Sequence, residues 1–233
     1  MRKFYNSVTY SQINQENIFG LFLDGKPLKT PANNVVLLPT LNLAKIIAEE
    51  WKSQNENILP ETMPLTQVVY TAIDQVSCNR KHYEHEVLRY AKTDTICYRV
   101  DQPIELAKLQ EDMWSPLLLW SEKQFGIILS TTTNAMAIEQ PRESLILVKK
   151  IISSYNHWNL SGLIAPVRAS GSFIIGLALS EKFLCAEEAF KFSELERTWQ
   201  IGRWGEDSES SIIREKIRKD FIVAEMYFKA ISV

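Results

Sequence analysis

The stretch ERTWQIGRWGEDSES, Glu196–Ser210, sets three acids, Glu206, Asp207 and Glu209, behind two tryptophans. Neighbouring carboxylates can divide the roles of general acid and general base when their surroundings push their pKa values apart. The same acids, placed ahead of a helix-periodic run, also suit the positive end of a helix, with Asp207 or Ser208 as N-cap and Ser210 and Ser211 in the first turn. No nucleophile or partner base converges on the stretch, so the helix-end reading carries more weight than a catalytic pair.

Other chemistry is weaker still. Cys78, His82 and His85 fall at i, i+4 and i+7, which on a continuous helix is one face, and zinc accepts such ligands. No fourth ligand lies at a matching spacing, so a packed cysteine and two surface imidazoles is the simpler reading. His157 is placed at a helix end, where a cation is favourable. Ser170 and Ser172 in ASGSFIIG lack a nucleophile elbow and are read as small residues of a helix interior. Gly171 and Gly176 lack the Gly-Lys-Ser/Thr of a phosphate loop. No metal and no cofactor is expected.

The elements that must position these residues begin with strands. The run NIFGLFLDGKPLKTP carries Asp24-Gly25 between apolar segments, a type I′ hairpin signal in which Gly25 supplies positive φ. Residues 1–40 read as a small antiparallel sheet. Helical periodicity then takes over: Leu43, Ile46, Ile47 and Trp51 behind a Thr40 or Asn42 cap, then Leu65 to Val76 starting at Pro64. Further helices are read over residues 79–92, over IELAKLQEDMWSPLLLWSEKQFG with an interruption at Pro116, over 142–158, 162–179 and 186–203, and after Asp207. The run IILSTTTNAMAIEQ is β-prone and ambiguous. The expected fold class is α+β: an N-terminal domain, 1–78, with a β-hairpin sheet plus helices, and an all-helical C-terminal domain, 79–233.

Composition narrows the function classes. The 233 residues carry 26 Lys+Arg against 28 Asp+Glu, a net charge of −2, so no basic excess points to nucleic acid or an anionic membrane surface. No run approaches the roughly 18 apolar residues of a membrane span. Three widely spaced cysteines suit a reducing compartment, and the N-terminus lacks the apolar region of a secretory signal. A cytoplasmic location is expected. Nothing resembles a dimerisation helix, so a monomer is expected.

Within the Glu196–Ser210 stretch, about 100° per residue puts Trp199 and Trp204 some 140° apart, while Glu196, Gln200 and Arg203 share a polar stripe. A second tryptophan beside that stripe suits either a further helix contact inside the domain or an aromatic anchor with a charged rim. Gly205 ends the helix and turns the chain.

Several segments together resemble a known family. They are KFYNSV, LFLDGKPLKTPANN, the run from Leu38 to Val76 with its EEWKSQ and MPLT, RYAKTDTICYR, QEDMWSPLLLW, SGSFIIGLAL and LERTWQIGRWGEDSE. In this order they are similar to the assembly chaperones of the F1-ATPase that bind its α subunit, a mitochondrial family with bacterial homologues. The combination is specific where each piece alone is weak, and residues 134–159 carry little of it.

The resemblance implies a chaperone without catalytic activity, for assembly of the F1 sector of ATP synthase, that holds the unassembled α subunit until it pairs with β. The eukaryotic equivalent would work in the mitochondrial matrix. It gives Trp51 a structural role and assigns Glu196 to function rather than folding, with Gln200, Trp204, Gly205, Asp207 and Glu209 matching the rest of the signature. The tryptophans are then expected to secure the helix pair, and Glu196 with the acidic turn to present a negative rim; Glu196→Lys should weaken client binding at unchanged melting temperature. Gly202 inside the helix departs from the pattern and costs about 1 kcal/mol of propensity. The alternative is a carboxylate-dependent hydrolase of unknown substrate using Glu196, Glu206, Asp207 or Glu209.

Overall fold

Asp24 and Gly25 take φ of 46° and 76° and close a hairpin between β2 (Phe19–Leu23) and β3 (Lys26–Pro27). In this computed structural model, which describes residues 1–13, 17–134 and 136–232, β1 (Val8–Gln12) pairs antiparallel with β2, Val8 opposite Leu23 and Gln12 opposite Phe19. The short β4 (Leu37–Leu38) pairs with the other edge of β2. Alternation alone does not describe β2: Phe19, Gly20, Leu21 and Leu23 are all buried, as expected of the central strand of a covered sheet. Ten α-helices follow among the described residues, so the architecture is α+β, with the sheet confined to the N-terminal region.

Two compact units divide the chain. One comprises residues 1–80 with 157–162 and 226–233; the other comprises 81–156 and 163–225.

In the first unit, α1 (Leu41–Lys52) starts at Thr40, whose hydroxyl accepts from the Leu43 N–H at 3.1 Å and donates to the Ala230 carbonyl at 2.5 Å. The apolar face of α1 is Leu43, Ala44, Ile47, Ala48 and Trp51, all buried. The EEWKSQ segment of α1 has a division of labour that spacing does not reveal. The Glu50 carboxylate accepts from the backbone N–H groups of Leu65 and Thr66 (2.8 and 2.7 Å) and from the Thr66 hydroxyl, so it caps α2 (Pro64–Tyr70) from a neighbouring helix. Trp51 packs 5.5 Å from the Tyr5 ring, and the Tyr5 hydroxyl donates to the Trp51 carbonyl. Buried Gln54 accepts from the Leu59 N–H and donates to the Thr62 hydroxyl, holding the loop after α1.

Helix α2 runs on through a π-helical turn, Thr71–Val76. Asp74 in that turn accepts from the Thr30 hydroxyl, the Ala32 N–H and the Asn34 amide, fixing the loop that follows β3. The two returning segments complete this unit: the Ser161 hydroxyl donates to the Val68 carbonyl, and a Cβ on Gly162 would lie 2.8 Å from the Tyr227 ring.

The second unit holds α3 (Arg80–Lys92, except its first residue), α4 (Ile104–Phe125), α5 (Arg142–Ser154), α7 (Phe173–Ser180), α8 (Ala186–Ser193) and α9 (Leu195–Trp204). It also takes α6 (His157–Ser170) from Leu163 onward and α10 (Ser208–Ile231) up to Glu225. Its centre is α7, in which Phe173 through Leu179 are all buried.

Several helix boundaries differ from the periodicity. Pro116 lies inside α4, which runs through it unbroken. The run 142–158 breaks at Tyr155, and α6 begins at His157; apolar residues on both flanks are buried, so periodicity carries across the break. His157 therefore sits at a helix N-terminus rather than a C-terminus. Burial, reinforced by the Arg80 charge, lowers its pKa instead of favouring the cation. The serine-rich step is also a break. Gly171 takes φ of 65°, and a Cβ there would collide with the Thr95 hydroxyl; the Ser172 hydroxyl accepts from the Ile175 N–H and caps α7. Among the described residues of the ambiguous run 127–140, Thr132 forms an isolated bridge with Tyr98.

Candidate functional site

Cys78 lies in the turn before α3, so Cys78, His82 and His85 are not on one helix. No group of three potential metal ligands forms among the described residues. The site that remains is the corner where α9 meets α10.

Leu195 anchors the start of α9 in the core, and Glu194, 6% exposed, lies just ahead of it. Arg214 of α10 reaches back across the corner. Its guanidinium meets Glu194 at 3.3 Å, Glu206 at 3.2 Å and the Thr198 hydroxyl at 3.0 Å, and lies 5.6 Å from the Phe190 ring. This four-way contact fixes the angle between α9 and α10, and it corrects the expectation that the tryptophans secure the pair. Trp204 is 75% exposed. Trp199 is half-buried; the Arg203 guanidinium sits 4.2 Å from its ring centroid, and Trp204 meets it edge-on at 6.0 Å. Two tryptophans some 140° apart on an ideal helix thus still touch, because their long side chains lean across the last turn.

Gly205, at φ 85° and ψ 171°, stops α9, and its N–H donates to the Ile201 carbonyl. A side chain at this φ would be strained, although nothing stands within 4 Å of its Cβ position. Gly202 also has open space around it, and α9 continues through it to Trp204. Asp207 accepts from the Ser210 N–H at 2.8 Å and the Ser210 hydroxyl at 2.7 Å, the N-cap of α10. The Ser210 N–H, ahead of the other groups at this helix start, holds the Asp207 carboxyl below its ordinary value, the reverse of what a general acid needs. Asp207→Ala should therefore fray the start of α10 and lower the melting temperature by roughly 2–4 °C, read by thermal unfolding followed by circular dichroism.

Glu196 is half-buried and turned toward α4. Its Oε1 accepts at 2.5 Å from Nε2 of Gln110, a residue with no exposed surface. Gln110 Oε1 accepts from the Val100 N–H, and its carbonyl accepts from Arg99, whose guanidinium lies 5.1 Å from the Trp114 ring. Glu206 is tied to Arg214, while Asp207 and Glu209 stand exposed in the acidic turn. Gln200 is also exposed.

The sequence reading missed Arg214 as the residue that holds the corner. It also missed Ile212 and Ile213 in the first turns of α10, exposed at 72% and 47%. An apolar pair in the first turns of a helix that begins with acids and serines was the available signal.

A protein-family model described as ATP12 chaperone protein matches residues 2–122. Protein atp12 of Schizosaccharomyces pombe, mitochondrial by name, is 30% identical over 195 residues, covering 78% of this chain and 67% of that one. The chain belongs to the ATP12 chaperone family. The ATP12 protein of Saccharomyces cerevisiae, also mitochondrial by name, is 25% identical with 96% of this chain and 83% of its own covered. The crystal structure of Atp12 from Paracoccus denitrificans superposes with a TM-score of 0.94 at 29% identity, covering 99% of this chain and 98% of that one. A solved structure from Agrobacterium tumefaciens gives 0.92 at 32%, covering 99% and 86%. The ATP12 family match ends before α9, whereas the structural similarity to Paracoccus Atp12 extends over nearly the whole chain. No helix among the described residues of this ATP12 family member is long and apolar enough to cross a membrane.

Proposed function

We propose that this protein is an assembly chaperone for the F1 sector of ATP synthase, and that it holds the unassembled α subunit until β pairs with it. It acts by binding rather than by catalysis, as a monomer without a cofactor, in the bacterial cytoplasm or its equivalent, the mitochondrial matrix. Membership of a chaperone family supports the class of function. The observation that carries the choice of surface is Trp204, a large aromatic three-quarters exposed at the end of a braced helix. Exposed aromatics on rigid supports are the residues that dominate protein interfaces. Gln200 and Glu209 flank it, Ile212 and Ile213 widen the apolar area, and Asp207 and Arg214 keep the corner in place.

A client surface that β later covers must be held at moderate strength, so that the final partner displaces the chaperone by mass action. The test is capture of isolated α subunit, and separately β, by the immobilised chain. Wild-type protein is expected to retain α and not β. Trp204→Ala should weaken capture at least about tenfold, while its melting temperature stays within about 1 °C because the ring is exposed. Capture of neither subunit by the folded wild type would overturn the reading.

A further inference from the structure

The first unit carries an apolar groove of 670 Å³, open to solvent, between the β2–β3 hairpin and the segments around α1 and α2. Leu28, Trp51, Ile58 and Met63 form its buried floor, and Tyr5 and Tyr70 line its side. Phe4 stands at the rim, 64% exposed, held edge-on to Tyr5 at 5.5 Å. An apolar cleft of this size, with a large aromatic left in solvent beside it, is the usual form of a binding site.

Charge at the mouth selects the occupant. Lys26 and Lys29 are both exposed on the groove lining. The acid beside them, Asp24, has its carboxylate engaged by the backbone N–H groups of Asn6 and Ser7 and by the Ser7 hydroxyl. Tyr5 also lines an adjoining polar cavity with Arg2 and Lys3 facing Glu56. Across the two cavities the cations outnumber the acids, in a chain whose net charge is −2.

The geometry points to a peptide-docking groove whose occupant is an extended apolar segment flanked by carboxylates. Its apolar side chains fill the floor, and its acids meet Lys26 and Lys29. A small-molecule site would instead place several converging polar groups inside the cleft to orient its ligand. Here the buried Thr66 hydroxyl already donates to Glu50 and the Thr30 hydroxyl to Asp74. Among the described residues the Trp51 indole N–H is left as a lone unpartnered donor on the floor, free to meet a peptide carbonyl, and the charges stand at the mouth. This site belongs to the first unit and the α9–α10 corner to the second, and the proposal does not depend on which client that corner holds.

The experiment is fluorescence anisotropy on the full chain with two labelled octapeptides, Glu-Glu-Leu-Phe-Leu-Ile-Glu-Glu and its counterpart with Lys in place of Glu. The acidic peptide should bind saturably, at least about tenfold more tightly than the basic one, and more weakly as salt is raised. Lys26→Glu with Lys29→Glu should remove that preference, and Phe4→Ala should weaken binding several-fold. All three side chains are exposed, so unchanged circular dichroism is expected. Absence of saturable binding, equal binding of the two peptides, or binding indifferent to these variants would each overturn the proposal. So would saturable binding of decanoate alone, which would make the groove a small-molecule site. No F1 subunit enters this assay, so its failure leaves the proposed client untouched.

Discussion

At about pH 4, where Asp94 is protonated in the native state, Asp94→Ala lowers the free energy of unfolding by about 2–4 kcal/mol, the largest stability effect expected of a single substitution outside the apolar core. Asp94 is wholly buried, and its two oxygens accept from the N–H groups of Ile96 and Ile174. It thereby holds the short turn at Thr95–Cys97 to the first turn of α7, beside the Thr95 bonds to the Gly171 carbonyl. Alanine leaves two buried donors without acceptors at the centre of the second unit.

The same residue gives a pH signature. Burial raises the Asp94 pKa from 3.8 to about 6, outweighing the hydrogen bonds from Ser172, Ile174 and Ile96 that act in the other direction. Between those two values the native state holds more proton than the unfolded chain, so this group's contribution to stability falls as pH rises and levels off above the folded pKa. The amplitude is roughly 3 kcal/mol. Asparagine cannot ionise, so the difference in unfolding free energy between wild type and Asp94→Asn should shrink with that sign as pH rises from about 4 to 6. Urea unfolding of both proteins across this range checks it; a constant difference would show that Asp94 is not titrating there.

Glu196→Lys is expected to abolish client capture, and in contrast to the sequence expectation it should also lower the melting temperature. The lysine removes the acceptor for Gln110 Nε2 and leaves a buried amide donor unsatisfied, a cost of about 1–3 kcal/mol. For a chain of this size that is several degrees. Glu196→Gln separates the two effects, because its carbonyl can still accept from Gln110 while the charge is gone. Its melting temperature should stay within about 2 °C of wild type. Its capture of α subunit should fall by about tenfold if the client reads the carboxylate's charge. Full capture by Glu196→Gln would instead make Glu196 a positioning residue that keeps α9 against α4.

The elements legible in the sequence are those with local causes. Asp24-Gly25 dictates its hairpin because two consecutive positive φ angles favour these residue types, and Thr40 and Pro64 mark helix starts through hydrogen bonds and dihedrals within a few residues. The helix breaks at Tyr155 and Gly171 were not legible, since buried apolar residues on both flanks continue the period. For the candidate site, the sequence located the corner and its cap but mistook what braces it. Arg214 lies 20 residues from Glu194, and only the return of α10 brings them together.

By itself, then, the sequence determined an antiparallel sheet followed by helices, and a family likeness dense enough to name a class of function, because turn chemistry, capping and periodicity are short-range. Tertiary structure alone decided which polar residues serve the fold and which face solvent. Glu50 caps a helix fifteen residues on, Glu196 is spent largely on Gln110, and Trp204 is left open. Such roles depend on burial and on partners distant in the chain, which no local pattern encodes.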